Sequence, residues 1–118
     1  MKGGYKMDLE FTRGDTQFLK FQLKDGLGNA ISPSSEDIIY FTVKQNQNSS
    51  KVLIQKKYPD NIEYQDGYFI FALNSEDTSD LAYATYQYDI ELKSGDYVKT
   101  LAFGTITLTN EITHRRDE

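Results

Sequence analysis

Apolar and polar residues alternate along most of the chain, in short runs separated by turn-forming residues. In the run DIIYFTVKQ, Ile39, Phe41 and Val43 fall on one side, and Tyr40 and Thr42 fall on the other. Side chains two apart on an extended backbone share a face, so this pattern predicts a strand with one buried side. The same alternation predicts one apolar layer formed by Leu19, Phe21, Ile39, Phe41, Phe69, Phe71, Tyr88 and Ile90.

Turn signals divide the chain into seven or eight predicted strands. Asp66-Gly67 stands between two alternating runs and is a strong hairpin signal, and DGLGN at residues 25–29 marks another tight connection. Gly104 interrupts the last run, where glycine indicates a bulge or a close backbone approach. One short helical turn is predicted near residues 75–82, with acidic residues at its start. These elements favour an all-β fold, an antiparallel β-sandwich.

Length and composition narrow the function classes. The 118 residues fit a single domain, with its core at about residues 7–109 and a polar tail at 110–118. The chain has no Cys, so disulfides and thiolate metal sites are excluded. Its formal charge of −5 argues against a reader of the phosphate backbone, so no nucleic-acid partner is predicted. No apolar run approaches the ~20 residues of a membrane span, and the start lacks the apolar core of a signal peptide.

Candidate catalytic groups are sparse. The only His is His114, in the polar tail, where a solvated side chain is expected rather than a general base. Glu76, Asp77 and Asp80 cluster on the predicted helical turn, where they could hold Ca²⁺ or simply complement the helix N-terminus. We favour the second interpretation and predict no catalytic, cofactor-binding or metal-binding site. A Ca²⁺-assisted hydrolase is the enzyme alternative, and it requires carboxylates that converge in a cleft.

Two further features have both a functional and a plain structural interpretation. Arg13-Gly14-Asp15 matches an integrin-binding tripeptide, but its place between two alternating runs predicts a corner of the chain. The nine tyrosines could form an exposed row that stacks sugars, which makes a carbohydrate- or cell-surface-binding module the alternative function. Tyr40, Tyr68 and Tyr97 are predicted on outward faces, and so is Ile70, whose apolar side chain indicates a covered surface.

Six segments together resemble a known family. They are FTRGDTQF (11–18), DGLGN (25–29), IYFTVK (39–44), GYFIFALNSEDTSDL (67–81), YQYDIEL (86–92) and VKTLAFGTITL (98–108). In this order and spacing, over Leu9 to Ile112, they resemble the small immunoglobulin-like domains of tailed-bacteriophage structural proteins. Such domains occur in tail and baseplate components, including the N-terminal module of baseplate upper proteins.

The resemblance implies an immunoglobulin-like sandwich that is a non-catalytic assembly module of a phage or prophage particle. It implies a location in the virion after synthesis in the bacterial cytoplasm. It also implies that Arg13-Gly14-Asp15 forms a structural corner and does not bind an integrin. The expected partners are other virion proteins or copies of this chain, with no membrane, cofactor or small-molecule substrate. An unpaired edge strand or one sheet face is expected to dock, with Tyr40, Tyr68, Ile70 and Tyr97 as the predicted contact residues. A baseplate protein continues beyond the length of this chain, so the position in the particle stays open.

Overall fold

The computed structural model describes residues 5–22, 24, 27–30, 32–46 and 48–109, with the backbone alone at residue 5. The predicted tail at 110–118, His114 within it, and Leu23, Asp25 and Gly26 lie outside the described residues. The fold is all-β with one short helix, as predicted. The elements are β1 (Tyr5–Lys6), β2 (Leu9–Thr12), β3 (Gln17–Phe21), β4 (Asp37–Lys44), β5 (Val52–Tyr58), β6 (Ile62–Gln65), β7 (Tyr68–Leu73), α1 (Ser75–Thr78), β8 (Thr85–Ser94) and β9 (Tyr97–Thr109).

The described strands form two sheets. The large sheet has the order β1–β9–β8–β4–β5, and β2 also pairs with β9. The small sheet has the order β3–β7–β6. Because β1 and β2 are two pieces of one interrupted strand along β9, the chain has eight strands in the described part. The expectation of a purely antiparallel arrangement is wrong, since β1 and β2 run parallel to β9 and make the large sheet mixed.

The two sheets share one apolar core. Six of the eight residues predicted for this layer are buried, and Leu19 and Phe21 are half-buried against it. The rings of Phe41 in the large sheet and Phe71 in the small sheet lie 4.6 Å apart. Phe41 also packs on Tyr88, at 5.5 Å between ring centroids. Aromatic side chains on the faces that the period of two predicts are therefore part of the contact between the layers.

The last strand departs from the simple alternation at Leu101. The pairing with β8 passes from Ala102 opposite Ile90 to Thr100 opposite Glu91, which leaves Leu101 as an extra residue. Leu101 and Ala102 are consequently both buried, whereas Phe103 lies on the other side, opposite Asp89. An irregularity of this kind is a β-bulge.

Gly104 lies at a close backbone approach, which is the second of the two structural roles predicted for it. A Cβ atom built on this residue would lie 2.0 Å from the carbonyl oxygen of Met7. The backbone between β1 and β2 therefore approaches β9 to a distance that only glycine permits.

The predicted helical turn exists but is shorter than residues 75–82. α1 covers Ser75–Thr78, and the chain then turns through a bond from the Leu81 N–H to the Thr78 carbonyl of 2.9 Å. The Asn74 N–H donates to Asp77 Oδ2 at 2.7 Å, which satisfies an amide at the helix start. Among the described residues, no helix has the length and apolar character needed to cross a membrane.

Candidate docking surfaces

The corner between β2 and β3 is held by the segment that follows α1. The buried Gly14 N–H donates to the Thr78 hydroxyl oxygen at 2.8 Å. The Arg13 guanidinium donates to the Leu81 carbonyl at 3.1 Å, and its carbon lies 4.1 Å from the centre of the Tyr83 ring. Gly14 has φ of 85°, as a residue at a tight corner requires. Arg13 thus has a structural role inside the domain, in agreement with the predicted corner.

Tyr86 on β8 holds the segment after α1 in place through a side-chain hydrogen bond. This buried side chain, at the second position of the strand, donates its hydroxyl to the Ala82 carbonyl at 2.8 Å. A buried tyrosine needs such a partner, because an unpaired hydroxyl in a core costs free energy. The connection from α1 to β8 is therefore tied both to β8 and to the corner at residues 13–14.

The predicted contact residues do not meet on one surface. Tyr40 lies on the outer face of the large sheet, half-buried, between Lys57 on β5 and Glu91 on β8. Tyr68 and Ile70 lie on the outer face of the small sheet, on the opposite side of the core. Tyr97 is exposed at the hairpin that joins β8 to β9, opposite Ser94. Tyr40 and Tyr68 therefore cannot belong to a single tyrosine-lined sugar platform.

The outer face of the small sheet carries an apolar patch that contains Tyr68 and Ile70. Phe18 on β3 stands opposite Ala72 on β7, and its side chain is 71% exposed. Lys20 on β3 stands opposite Ile70, and its ammonium group lies 4.8 Å from the centre of the Tyr68 ring. Sequence reasoning missed Phe18, although its alternation with Leu19 and Phe21 indicated an outward side chain.

The carboxylates at α1 are placed by structural contacts. Asp77 accepts from the Asn74 N–H and forms an ion pair of 2.9 Å with Lys56 on β5, and both side chains are mostly buried. This pair ties α1 to the edge of the large sheet. Among the described residues, no group of three or more His, Cys, Asp or Glu side chains is arranged to hold a metal ion.

The pKa of Asp37, at the start of β4, is lowered from its ordinary value. The Ser34 N–H donates to Asp37 Oδ2 at 2.9 Å, and this bond is the main cause that lowers the pKa of Asp37. A side-chain hydrogen bond with Ser94 lowers it further, and burial opposes both effects slightly. The arrangement closes the turn before β4 and is typical of a turn carboxylate rather than of a catalytic acid.

A cleft opens between the two sheets on the side where β3 and the β1–β2 strand lie. Its volume is about 440 Å³. The apolar lining combines Phe21 from β3 with residues of the large sheet and of the β1–β2 junction, and the polar lining comes from β3 and the residues after it. The lining residues are Met7, Lys20, Phe21, Gln22, Lys24, Ile90, Leu101 and Ala102.

The strand beside this cleft has one unpaired edge. Within the part of the chain that the structure describes, β3 pairs with β7 alone. On the opposite side of the domain the two sheets approach each other, because β5 and β6 are in contact and the Asn61 N–H bonds to the Lys57 carbonyl. The domain is thus closed at β5 and β6 and open between β3 and the β1–β2 strand.

The sequence matches no protein-family model and no curated protein.

Proposed function

We propose that this chain is a non-catalytic assembly module of a bacteriophage or prophage particle, in the tail or baseplate, and that it acts by protein–protein docking. Its partners are other virion proteins or copies of itself, and its location is the virion. The resemblance of six segments to phage immunoglobulin-like domains motivates the proposal. The observation that carries it is a side-chain contact typical of the immunoglobulin fold, at the connection from α1 to β8.

That contact is the bond from Tyr86 to the Ala82 carbonyl. Immunoglobulin sandwiches have a tyrosine near the start of strand F whose hydroxyl bonds to the backbone a few residues upstream. Tyr86 occupies the second position of β8, and Ala82 lies four residues before it. Tyr88, two residues later, stands where antibody domains have their second cysteine, and here it packs on Phe41.

The strand order supports the same assignment. In the immunoglobulin variable type, strands C, F, G and C′ form one sheet, and strands B, E and D belong to the other. Here β4, β8, β9 and β5 lie together, and β3, β7 and β6 form the second sheet in the order B–E–D. We therefore assign the finer fold as an immunoglobulin-like sandwich whose N-terminal strand is added parallel to β9.

Docking, rather than catalysis, fits the distribution of side chains. The exposed apolar side chains include Phe18 and Tyr68 on the outer face of the small sheet, whereas Asp77 is engaged by Asn74 and Lys56. Surfaces that bind proteins are enriched in aromatic residues. The outer face and the edge of the small sheet are therefore the surfaces that we assign to assembly.

The test is the composition of the particle. Phage particles are induced from the bacterium that carries the gene, banded by density, and analysed by quantitative mass spectrometry. We expect this chain at a fixed ratio to the tail and baseplate proteins in intact particles, and its loss from particles that lack tails. If the chain stays in the soluble lysate while complete particles form without it, the proposal is wrong.

A further inference from the structure

We propose that the open edge of β3 binds an extended segment of a partner protein, in which apolar and acidic residues alternate, as an added β-strand. This inference deepens the docking role proposed above by naming the edge and the chemistry of its occupant. It can be tested on the isolated chain, so its outcome is separate from that of the particle experiment.

The backbone of β3 provides the first part of the site. An edge strand presents amides and carbonyls that no neighbour pairs, and an extended peptide can pair with them. The described chain supplies a partner to β3 on one side only, through the pairs from Gln17 opposite Leu73 to Phe21 opposite Phe69. The residues of β3 whose amide and carbonyl groups face away from β7 are therefore available as a template for an incoming strand.

The cleft provides the apolar part. Successive side chains of an added strand point to opposite sides of the sheet, so every second one faces the interior between the layers. There it meets Met7 and Phe21, which are half-buried, above a floor that includes Leu101. Apolar side chains at alternate positions would remove these surfaces from water.

The rim of the cleft defines the charge of the occupant. Lys20 and Lys24 line it together with Gln22, and its described lining includes no carboxylate. Neither lysine forms an ion pair within the described residues. In a chain of charge −5 this is a local positive site, and it favours acidic side chains at the remaining positions of the partner segment.

Charge also argues against a second copy as the occupant. Antiparallel pairing of two β3 strands about Leu19 would place Lys20 of each copy opposite Phe18 of the other and bring two ammonium groups of like charge to one interface. An acidic segment of a different protein avoids this cost.

The experiment titrates the isotope-labelled full chain with a capped eight-residue peptide in which Val and Glu alternate. We expect saturable chemical-shift changes in the amides of Gln17–Phe21 and in the methyl groups of Met7, Leu101 and Ala102. A peptide with N-methyl groups at alternate residues, which cannot pair along one edge, should bind much more weakly. So should a peptide in which Lys replaces Glu.

A charge-reversal variant tests whether the two lysines at the rim of the cleft contribute to peptide binding. The double substitution Lys20→Glu with Lys24→Glu should weaken binding by about tenfold or more, while Lys93→Glu, at an exposed site on the large sheet, should leave affinity unchanged. Circular dichroism and amide dispersion establish that both variants are folded.

Three outcomes would overturn the proposal. One is no saturable binding at millimolar peptide, or equal binding to the charge-reversed variant. Another is concentration-dependent self-association that broadens the β3 amides without peptide, which would make a second copy the occupant. The third is saturation of the cleft by decanoate without binding of the peptide, which would make it a site for small amphiphiles.

Discussion

The two strands beside the cleft, β2 and β3, are neighbours in sequence. They differ in the contacts that hold them within the domain and in the charge of the residues near them. β2 is held along β9, and the segments around it are bound through Tyr88 to Met7 and through Thr78 to Gly14. Its exposed residues include the acidic Glu10, whereas the cleft beside β3 is lined by Lys20 and Lys24. This difference is the reason that we assign the docking role to β3 rather than to β2.

Gly104→Ala should have the largest effect on stability, because it disrupts the close backbone contact that holds the β1–β2 strand along β9. The added methyl group would overlap the Met7 carbonyl, so the strand must move away from β9. We expect a loss of about 3 kcal/mol or more in the free energy of unfolding, measured by urea denaturation. Thr105→Ala, at the next position on the outer face, is the control and should change it by less than about 0.5 kcal/mol.

Thr78→Val should have the next largest effect. The substitution keeps the shape of the side chain but leaves the buried Gly14 N–H without its acceptor. A loss of about 1–3 kcal/mol is expected in the same urea experiment. Thr78→Ser restores the hydroxyl and should recover most of this loss; a Val variant as stable as the Ser variant would show that the corner does not depend on this bond.

Tyr86→Phe should have a smaller effect on the free energy of unfolding, because Ala82, whose carbonyl loses its donor, is an exposed residue. We expect a loss of about 0.5–1.5 kcal/mol. Tyr68→Phe is the matched control on the small sheet and should change the free energy of unfolding by less than about 0.5 kcal/mol. Equal effects of the two substitutions would remove the support that Tyr86 gives to the immunoglobulin-like assignment.

Phe18→Ser should have the smallest effect on stability. Its side chain is 71% exposed on β3, so little apolar surface returns to water on unfolding. We expect the free energy of unfolding to change by about 0.5 kcal/mol or less. A loss as large as that of Thr78→Val would mean that Phe18 is covered within the domain and that the outer face of the small sheet is not free.

The core and most strands could be predicted because burial on one face imposes a period of two. That period identifies Ile39, Phe41 and Val43 as core residues without any knowledge of their partners. It also placed Tyr40 and Tyr68 on outward faces. It could not show that these faces are on opposite sides of the molecule, since the alternation of one strand carries no information about the sheet that it joins.

The features that the sequence did not predict depend on pairing between distant segments. The parallel direction of β2 and the bulge at Leu101 are set by contacts with β9 and β8, not by local pattern. The helix ends at Thr78 where the chain begins its turn toward β8, and the hydroxyl of Thr78 serves the corner at Gly14. The cleft, likewise, arises only where β3 of one sheet and the β1–β2 strand of the other bound the same side of the core.

Amide hydrogen exchange with and without the Val–Glu peptide tests the contrast between the two strands most directly. We expect amides of β3 that face away from β7 to exchange fast in the free chain and to become protected when the peptide saturates it. Amides of Leu9–Thr12 should keep the same rates in both states. Protection that appears in Leu9–Thr12 instead, or β3 amides that are already fully protected in the free monomer, would contradict this expectation.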